Sequence, residues 1–223
     1  ETTLGFSHSS TMTDLELANW TNRCEAYIRQ LDGDAAHDFA HIRRVVRWAR
    51  QLAEIEGADL SVVIPAAWLH DCVTVPKNHP DRSRASTVAA ETASSWLMEQ
   101  RFPPARIPEV THAIEAHSYP ANIPPRPREA QILQDADRLD ALGLIGVARC
   151  FYVAGRMGSA LYDPDDPRAQ RRALDDRAYA LDHFETKLLT LAEGSQTSEG
   201  RRMAAARHDE ALSFRDAFLA QVS

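Results

Sequence analysis

The stretch LSVVIPAAWLHDCV, from Leu60 to Val73, decides the fold that we expect for this chain. Between Val62 and Cys72 every residue is apolar or proline except the adjacent pair His70 and Asp71. A helix or strand this apolar is typically buried on all sides. Burial of an imidazole beside a carboxylate costs free energy unless a metal, a cation or a hydrogen-bond network compensates. We therefore expect another part of the chain to supply such a group.

The alternative interpretation of the pair is structural. His70 would bind the last carbonyl groups of a helix, and Asp71 would begin a turn. For an isolated His-Asp dipeptide this interpretation is favoured, because structural uses of such pairs outnumber catalytic ones. The helix is predicted to begin after a cap at Ser61 and to tolerate Pro65 in or near its first turn.

The composition limits the size, the fold class and the binding partners that we expect for this protein. The chain has 223 residues, enough for one large domain with a sizeable core. Only 9 glycines and 7% aromatic residues, among many helix-forming residues, favour an all-α fold. The formal net charge of -7 argues against binding to a nucleic-acid polymer but leaves room for a local site for small anions.

Cysteine usage and hydropathy indicate the compartment. The three cysteines, Cys24, Cys72 and Cys150, form neither a disulfide framework nor a cysteine-type zinc site, which is typical of a reducing cytoplasm. No apolar stretch is long enough to span a membrane. Residues 1–11 look like an expression remnant, and residues 12–223 are expected to form a single domain.

Helical periodicity recurs along the rest of the chain. Thr13 is a good N-cap for a first helix, with Glu16 three residues later. Apolar residues at spacings of three and four, together with proline and glycine breaks, predict helices over these approximate ranges: 13–31, 38–53, 81–101, one ending near 117, 129–155, 174–192 and 198–220.

Histidines on two of these helices are candidates for a site. His41 and Arg44 are three residues apart and therefore share one face of the second helix. Equally, His41 can be a helix-boundary histidine and Arg44 a solvated charge. His112 and His117 are five residues apart, about 140° around a helix, so at most one of them joins a single site.

A cationic loop follows the buried pair. Within eight positions it carries Lys77, His79, Arg82 and Arg84, in a protein that is acidic overall. Such a loop is usually only solvated. Here it leaves the buried end of the apolar stretch, which is where an anion site would need positive charge.

The segment from Glu129 to Gly155 carries carboxylates within an apolar pattern. The expected inward face consists of Ile132, Leu133, Ala136, Leu139, Leu142 and Ile145, with Asp135, Asp137 and Asp140 set into it. Three carboxylates at such positions repel one another unless a bound cation or Arg138 compensates.

Taken together, these motifs resemble the HD-domain metal-dependent phosphohydrolases, whose pattern is H...HD...D. The matching stretches are HDFAHIRRV at 37–45, HD at 70–71 and QDADRLDALG at 134–143. The YedJ-type subgroup is more similar still, because PKNHP, AHS and LDHFETKLL also occur in order, so that the resemblance covers about residues 20 to 215. It implies an HD-domain helical bundle of about eight or nine helices.

The resemblance also implies a site. Its four metal ligands would be His41, His70, Asp71 and Asp137. Two imidazoles and two carboxylates suit one six-coordinate divalent ion such as Mn²⁺, Co²⁺, Fe²⁺, Ni²⁺ or Mg²⁺. The candidates for contact with a substrate phosphate are Arg44, Lys77, His117 and Arg138, of which Lys77 is the strongest.

The implied function is metal-dependent hydrolysis of a small phosphorylated metabolite, a nucleotide in the first instance, by a phosphatase or pyrophosphohydrolase. The HHE...GYP segment of the cyclic di-GMP enzymes is absent, and residues 72–75 lack the glutamate that some HD phosphatases carry there. The alternative is a non-enzymatic HD module that binds a metal and a nucleotide as a sensor.

Overall fold

The structure, a computed structural model, describes residues 12–31, 39–73, 84–118 and 121–222. These ranges are helical apart from turns, loops and one isolated β-bridge between Ala160 and Tyr179, which confirms the all-α prediction. None of the helices in them is both long and apolar enough to cross a membrane. The contacts divide the chain into two compact units, Glu1–Leu133 and Gln134–Ser223, so the single domain over 12–223 stays a prediction.

The first unit is organised around one buried helix. Its helices are α1 (Asp14–Gln30), α2 (Phe39–Glu56), α3 (Leu60–Leu69), α4 (Ala85–Glu99), α5 (Ile107–His117) and the first half of α6 (Arg128–Asp140). α3 packs against α1, α2 and α5, while α4 packs against α5. The predicted first helix is confirmed, with the capping box of Thr13 and Glu16 in place. Of the predicted 81–101 helix, residues 81–83 lie outside the described ranges.

α3 is buried on all sides, as predicted, but it begins differently. Every residue from Ser61 to Leu69 is buried. The N-cap is Asp59, whose carboxylate accepts a hydrogen bond of 2.8 Å from the backbone N–H of Ser61, so the predicted cap at Ser61 is wrong. A carboxylate at this end also interacts favourably with the helix dipole. Pro65 is the sixth residue of α3, beyond the first turn.

α6 does not continue through Gly155. It ends at Asp140, and α7 (Gly143–Met157) begins at a glycine whose φ is +63°, a left-handed value that strains most other residues. Gly143 interrupts the helical repeat between α6 and α7. The positions that face inward on α6 are therefore not continued at the same spacing on α7. Ile145, predicted to face inward, is 43% exposed.

The helix predicted over 174–192 is also wrong. The structure has a loop, then a π-helical turn at Phe184–Leu188 and a 3₁₀ turn at Leu191–Gly194. The Asp175 side chain accepts hydrogen bonds from backbone N–H groups two and three residues later, and the Asp182 side chain accepts one from the backbone N–H of Asp175. Aspartate side chains that bind nearby N–H groups compete with helix formation, which explains the irregular backbone.

The second unit has its own apolar core between α7 and α8 (Ser198–Val222). The predicted last helix, 198–220, is therefore confirmed. The buried residues of this core are Val147, Leu181, Phe184, Leu188, Ala211 and Leu219. Phe151, Phe214 and Phe218 pack against it, and their ring centroids are 5.9 to 6.2 Å apart.

Asp135 holds the beginning of α8. Its fully buried carboxylate accepts hydrogen bonds from the backbone N–H of Gln196 at 2.7 Å and from the backbone N–H and hydroxyl of Thr197 at 2.8 Å each. Burial raises the pKa of Asp135, and these hydrogen bonds oppose the rise. Backbone donors, rather than a cation alone, therefore compensate one of the three carboxylates of α6.

Gly200→Ala should destabilise the second unit strongly. A Cβ at this position would lie 2.2 Å from an Asp135 carboxylate oxygen and 2.7 Å from the Thr197 hydroxyl, so the cap would have to open. We expect the free energy of unfolding to fall by about 3 kcal/mol, from overpacking and lost hydrogen bonds to a buried carboxylate. Gly155→Ala is the matched control, because its Cβ meets nothing within 4 Å. It should raise helix stability by about 0.5 to 1 kcal/mol in urea denaturation; equal stability of the two variants would contradict the prediction.

Candidate metal centre

Three side chains that can bind a metal meet at the end of α3. They are His41 from α2, and His70 and Asp71 from the turn after α3, and their ligand atoms all lie within 4.8 Å of one another. The distances to Asp71 Oδ2 are 3.8 Å from His41 Nε2 and 3.7 Å from His70 Nε2. Both histidines are buried and Asp71 is half-buried, so the cluster lies at the edge of the core.

A backbone hydrogen bond fixes the orientation of His70. This residue is the C-cap of α3, and its Nδ1 lies 2.8 Å from the carbonyl oxygen of Ala67. A carbonyl oxygen only accepts, so Nδ1 carries the proton and Nε2 is the atom that faces Asp71. His70 therefore agrees with both the structural and the metal-binding interpretation of the sequence. It is the C-cap of α3, and it also belongs to the cluster.

His117 uses the same arrangement on the other side of Asp71. It is the last residue of α5, and its Nδ1 donates to the carbonyl oxygen of Ile114 over 2.6 Å. Its Nε2 lies 3.9 Å from Asp71 Oδ1, and the rings of His70 and His117 are 5.0 Å apart. Of the two histidines of α5, the structure thus brings His117 beside the cluster. His70 and His117 share one sequence signal, because each lies at the C-terminal end of an apolar helix.

The donor set fits a divalent metal ion. Two imidazole nitrogens and a carboxylate oxygen are ligands that Mn²⁺, Fe²⁺, Co²⁺ and Ni²⁺ accept. The hydrogen bond on the far nitrogen of His70 is the outer contact that metal-binding histidines usually make. Asp137, the fourth predicted ligand, is half-buried on the part of α6 that belongs to the second unit, and its assignment stays a prediction.

The predicted phosphate contacts have different surroundings. Arg44 is half-buried on α2, one turn after His41. Arg138 donates a hydrogen bond to the carbonyl oxygen of Gly194 within the second unit, which gives this guanidinium a structural contact. Lys77 lies outside the described residues. Their roles toward a phosphate stay predictions.

Cys72 borders the cluster without offering it a thiolate. Its thiol is buried and lies 3.4 Å from the carbonyl oxygen of Ala89. Burial, and secondly the charge of Asp71, raises the pKa of Cys72 to about 12. The cluster therefore presents nitrogen and oxygen donors, which disfavours a cysteine-type zinc site.

All three thiols should react slowly in the native protein. The cysteines are free, and burial raises the pKa of Cys24 and Cys72 to about 12 and that of Cys150 to about 11. Because the thiolate is the reactive form, we expect alkylation at pH 8 to be about a hundredfold or more slower than for a free cysteine. Cys150, which is half-buried, should react first. Titration with Ellman's reagent should count three thiols only after denaturation, and three fast thiols in the native protein would contradict this.

Comparison with known proteins identifies the family. The family model for the HD domain matches residues 38–142, a range that includes all four predicted metal ligands. The uncharacterized protein YpgQ of Bacillus subtilis (strain 168) is 33% identical over 192 residues, which cover 82% of this chain and 83% of YpgQ.

Solved structures agree in fold. An HD-superfamily hydrolase from Bacillus thuringiensis is 31% identical, with a TM-score of 0.73 over 92% of this chain and 97% of that one. The structure of Bacillus subtilis YpgQ in complex with ADP is 28% identical, with a TM-score of 0.72 over 92% of this chain and 96% of that one. These matches confirm the predicted HD helical fold, and the chain belongs to the HD-domain family.

Proposed function

We propose that this protein is a metal-dependent phosphohydrolase that acts on nucleotides. The observation that carries the proposal is the cluster of His41, His70 and Asp71, which brings the family's ligand types within 4.8 Å of one another. His41, His70 and Asp71, with Asp137 as the proposed further ligand, would hold a divalent ion, which would supply Lewis acidity toward a phosphoryl oxygen and lower the pKa of water.

The protein's own side chains have separate parts in this proposal. His70 and His117 are held by carbonyl oxygens three residues earlier, so their Nε2 atoms keep a fixed direction toward Asp71. His117, whose Nε2 lies 3.9 Å from Asp71 Oδ1, is the proposed contact for a phosphate oxygen. Arg44, on α2, and Lys77, six residues after Asp71 in the sequence, neutralise phosphate charge in this proposal. Preorganised cations of this kind stabilise the charge of a phosphoryl-transfer transition state.

A nucleotide is the proposed substrate class for two reasons. The YedJ-type resemblance extends over most of the chain, and the similar protein YpgQ has been crystallised with ADP. The acidic net charge of -7 disfavours a nucleic-acid polymer, so we propose a free nucleotide rather than DNA or RNA.

The test is a screen of nucleoside mono-, di- and triphosphates with Mn²⁺, Co²⁺, Ni²⁺, Fe²⁺ and Mg²⁺. Orthophosphate and pyrophosphate should be measured separately, since the first indicates a phosphatase and the second a pyrophosphohydrolase. We expect turnover with at least one of the transition-metal ions. A protein that binds both metal and nucleotide but turns over none of these compounds would instead be the sensor module.

A further inference from the structure

A serine hydroxyl is buried without a partner at the beginning of α4. Ser86 is the second residue of this helix, it is 2% exposed, and its Oγ forms no hydrogen bond within the described part of the chain. Thr92 and Ser95 on the same helix instead donate to the carbonyl oxygens four residues earlier. A buried hydroxyl without a partner destabilises the protein unless a ligand completes it. Ser86 therefore marks a place where a hydrogen-bond acceptor can bind.

The hydroxyl of Ser86 is directed toward the N-terminus of α4. The other buried residues of this helix are alanine or leucine, so Ser86 is the polar end of an otherwise apolar face. Side chains of an α-helix lean toward its N-terminus, which here places the hydroxyl at the first turn. Arg84, the N-cap residue, is exposed. This end of the helix thus runs from the surface at Arg84 inward to Ser86.

The same end of α4 has no cap of its own. The side chain of Arg84 forms no capping hydrogen bond, and the first turn contains no acidic residue. By contrast, α1 and α3 begin with Thr13 and Asp59, whose side chains accept hydrogen bonds from backbone N–H groups. The first N–H groups of a helix have no partner within it and carry a partial positive charge, which suits an anion. The buried hydroxyl and the uncapped terminus are independent observations that indicate the same kind of ligand.

This end of α4 lies beside the elements that carry the metal cluster. Thr87 Oγ1 is 3.5 Å from a carboxylate oxygen of Glu115, two residues before His117 on α5. Cys72, which borders the cluster, has its thiol 3.4 Å from the carbonyl oxygen of Ala89, one turn further along α4. Both contacts connect the first turns of α4 with sequence neighbours of the cluster and of His117.

We propose that the N-terminus of α4 binds a phosphate group, with the Ser86 hydroxyl and the first-turn N–H groups as donors and Arg84 as the cation. The cluster and this terminus then hold neighbouring phosphates of one diphosphate. Hydrogen bonds to a charged acceptor are stronger than those between neutral groups, so a phosphate suits the buried hydroxyl better than a neutral ligand. The inference rests on the proposed nucleotide function and gives that site a second position for an anion.

Calorimetry on the Mn²⁺-loaded protein, with ADP, AMP and inorganic pyrophosphate as ligands, tests the proposal without requiring turnover. Ser86→Ala removes a donor to a charged group, so the affinities for ADP and pyrophosphate should fall by about tenfold to a hundredfold. The affinity for AMP and the bound metal should not change. Ser95→Ala, on the exposed side of the same helix, is the matched control and should alter none of these values. Unchanged ADP affinity in Ser86→Ala, or equal weakening of ADP and AMP, would overturn the proposal.

Stability gives a second measurement that separates binding from a structural role. In the ligand-free protein, Ser86→Ala should raise the urea midpoint, because it removes an unpartnered hydroxyl from the core and because alanine favours a helix more than serine does. The variant should therefore be more stable and bind ADP more weakly, a combination that loss of structure does not produce. A lower midpoint would show that the hydroxyl has a structural role and would overturn the proposal.

Arg84→Asp tests the terminus without changing Ser86. The new carboxylate lies at the N-cap position, where it competes with a phosphate for the same N–H groups. It should weaken ADP binding more than Arg84→Ala does, which only removes the cation, and equal effects of the two variants would contradict the site. Failure of the hydrolase function alone would appear as ADP binding with these dependences but without turnover, which leaves the anion site intact.

Discussion

His70→Ala should abolish both divalent-metal binding and hydrolysis. His70 is fully buried, its Nδ1 is fixed by the carbonyl oxygen of Ala67, and its Nε2 faces Asp71 at 3.7 Å. Loss of even an outer contact of a metal ligand costs about tenfold to a hundredfold in metal affinity, so loss of the ligand itself should cost more. After loading with Mn²⁺ and gel filtration, elemental analysis should find about one ion per wild-type chain and almost none in the variant.

Two further variants test which residues bind the ion. Asp137→Ala should lose the ion as well if Asp137 is the fourth ligand, whereas retention of the ion would remove it from the ligand set. His112→Ala is the matched control, because this half-buried histidine of α5 is not part of the cluster. A wild-type protein that binds no ion, or a control that also loses it, would contradict the proposed centre.

Lys77→Ala should spare the metal and lower activity by about thirtyfold to a thousandfold, which corresponds to about 2 to 4 kcal/mol of transition-state stabilisation. The reason is its position in the sequence, six residues after Asp71 in a stretch that the sequence predicts to be a cationic loop. The proposed role of Lys77 is to contact the phosphate and not the ion, because an ammonium group cannot be a metal ligand.

Measurement of kcat/KM and of bound metal on the same preparations separates the possible roles of Lys77. Lys77→Arg keeps the charge and should retain part of the activity. Full activity of the alanine variant would show that Lys77 is only a solvated loop residue. Joint loss of metal and activity would show that the loop supports the folding of the site.

The parts of the fold that the sequence predicted are those that local pattern controls. The apolar run of α3 and the capping box at Thr13 appear in the structure because burial and capping act over a few residues. The cluster was predictable for a different reason, since His41 and the pair at 70–71 belong to motifs that the HD family shares.

What the sequence did not predict depends on contacts between distant residues. Asp135 finds its partners at Gln196 and Thr197, about sixty positions later, so its role as a cap for α8 has no local signal. The segment around Asp175 has a helical pattern of apolar residues, but its aspartates bind backbone N–H groups and prevent the helix. The position of His117 likewise depended on how α5 packs against α3.

The carbonyl contacts of His70 and His117 also couple the cluster to local unfolding. Each imidazole is held by the last turn of its own helix, through Ala67 in α3 and Ile114 in α5, so fraying of either turn releases a side chain that faces Asp71. An ion that binds only when both turns are intact stabilises them by mass action. Amide hydrogen exchange in the last turns of α3 and α5 should therefore slow when Mn²⁺ is added, while exchange in α8 stays the same.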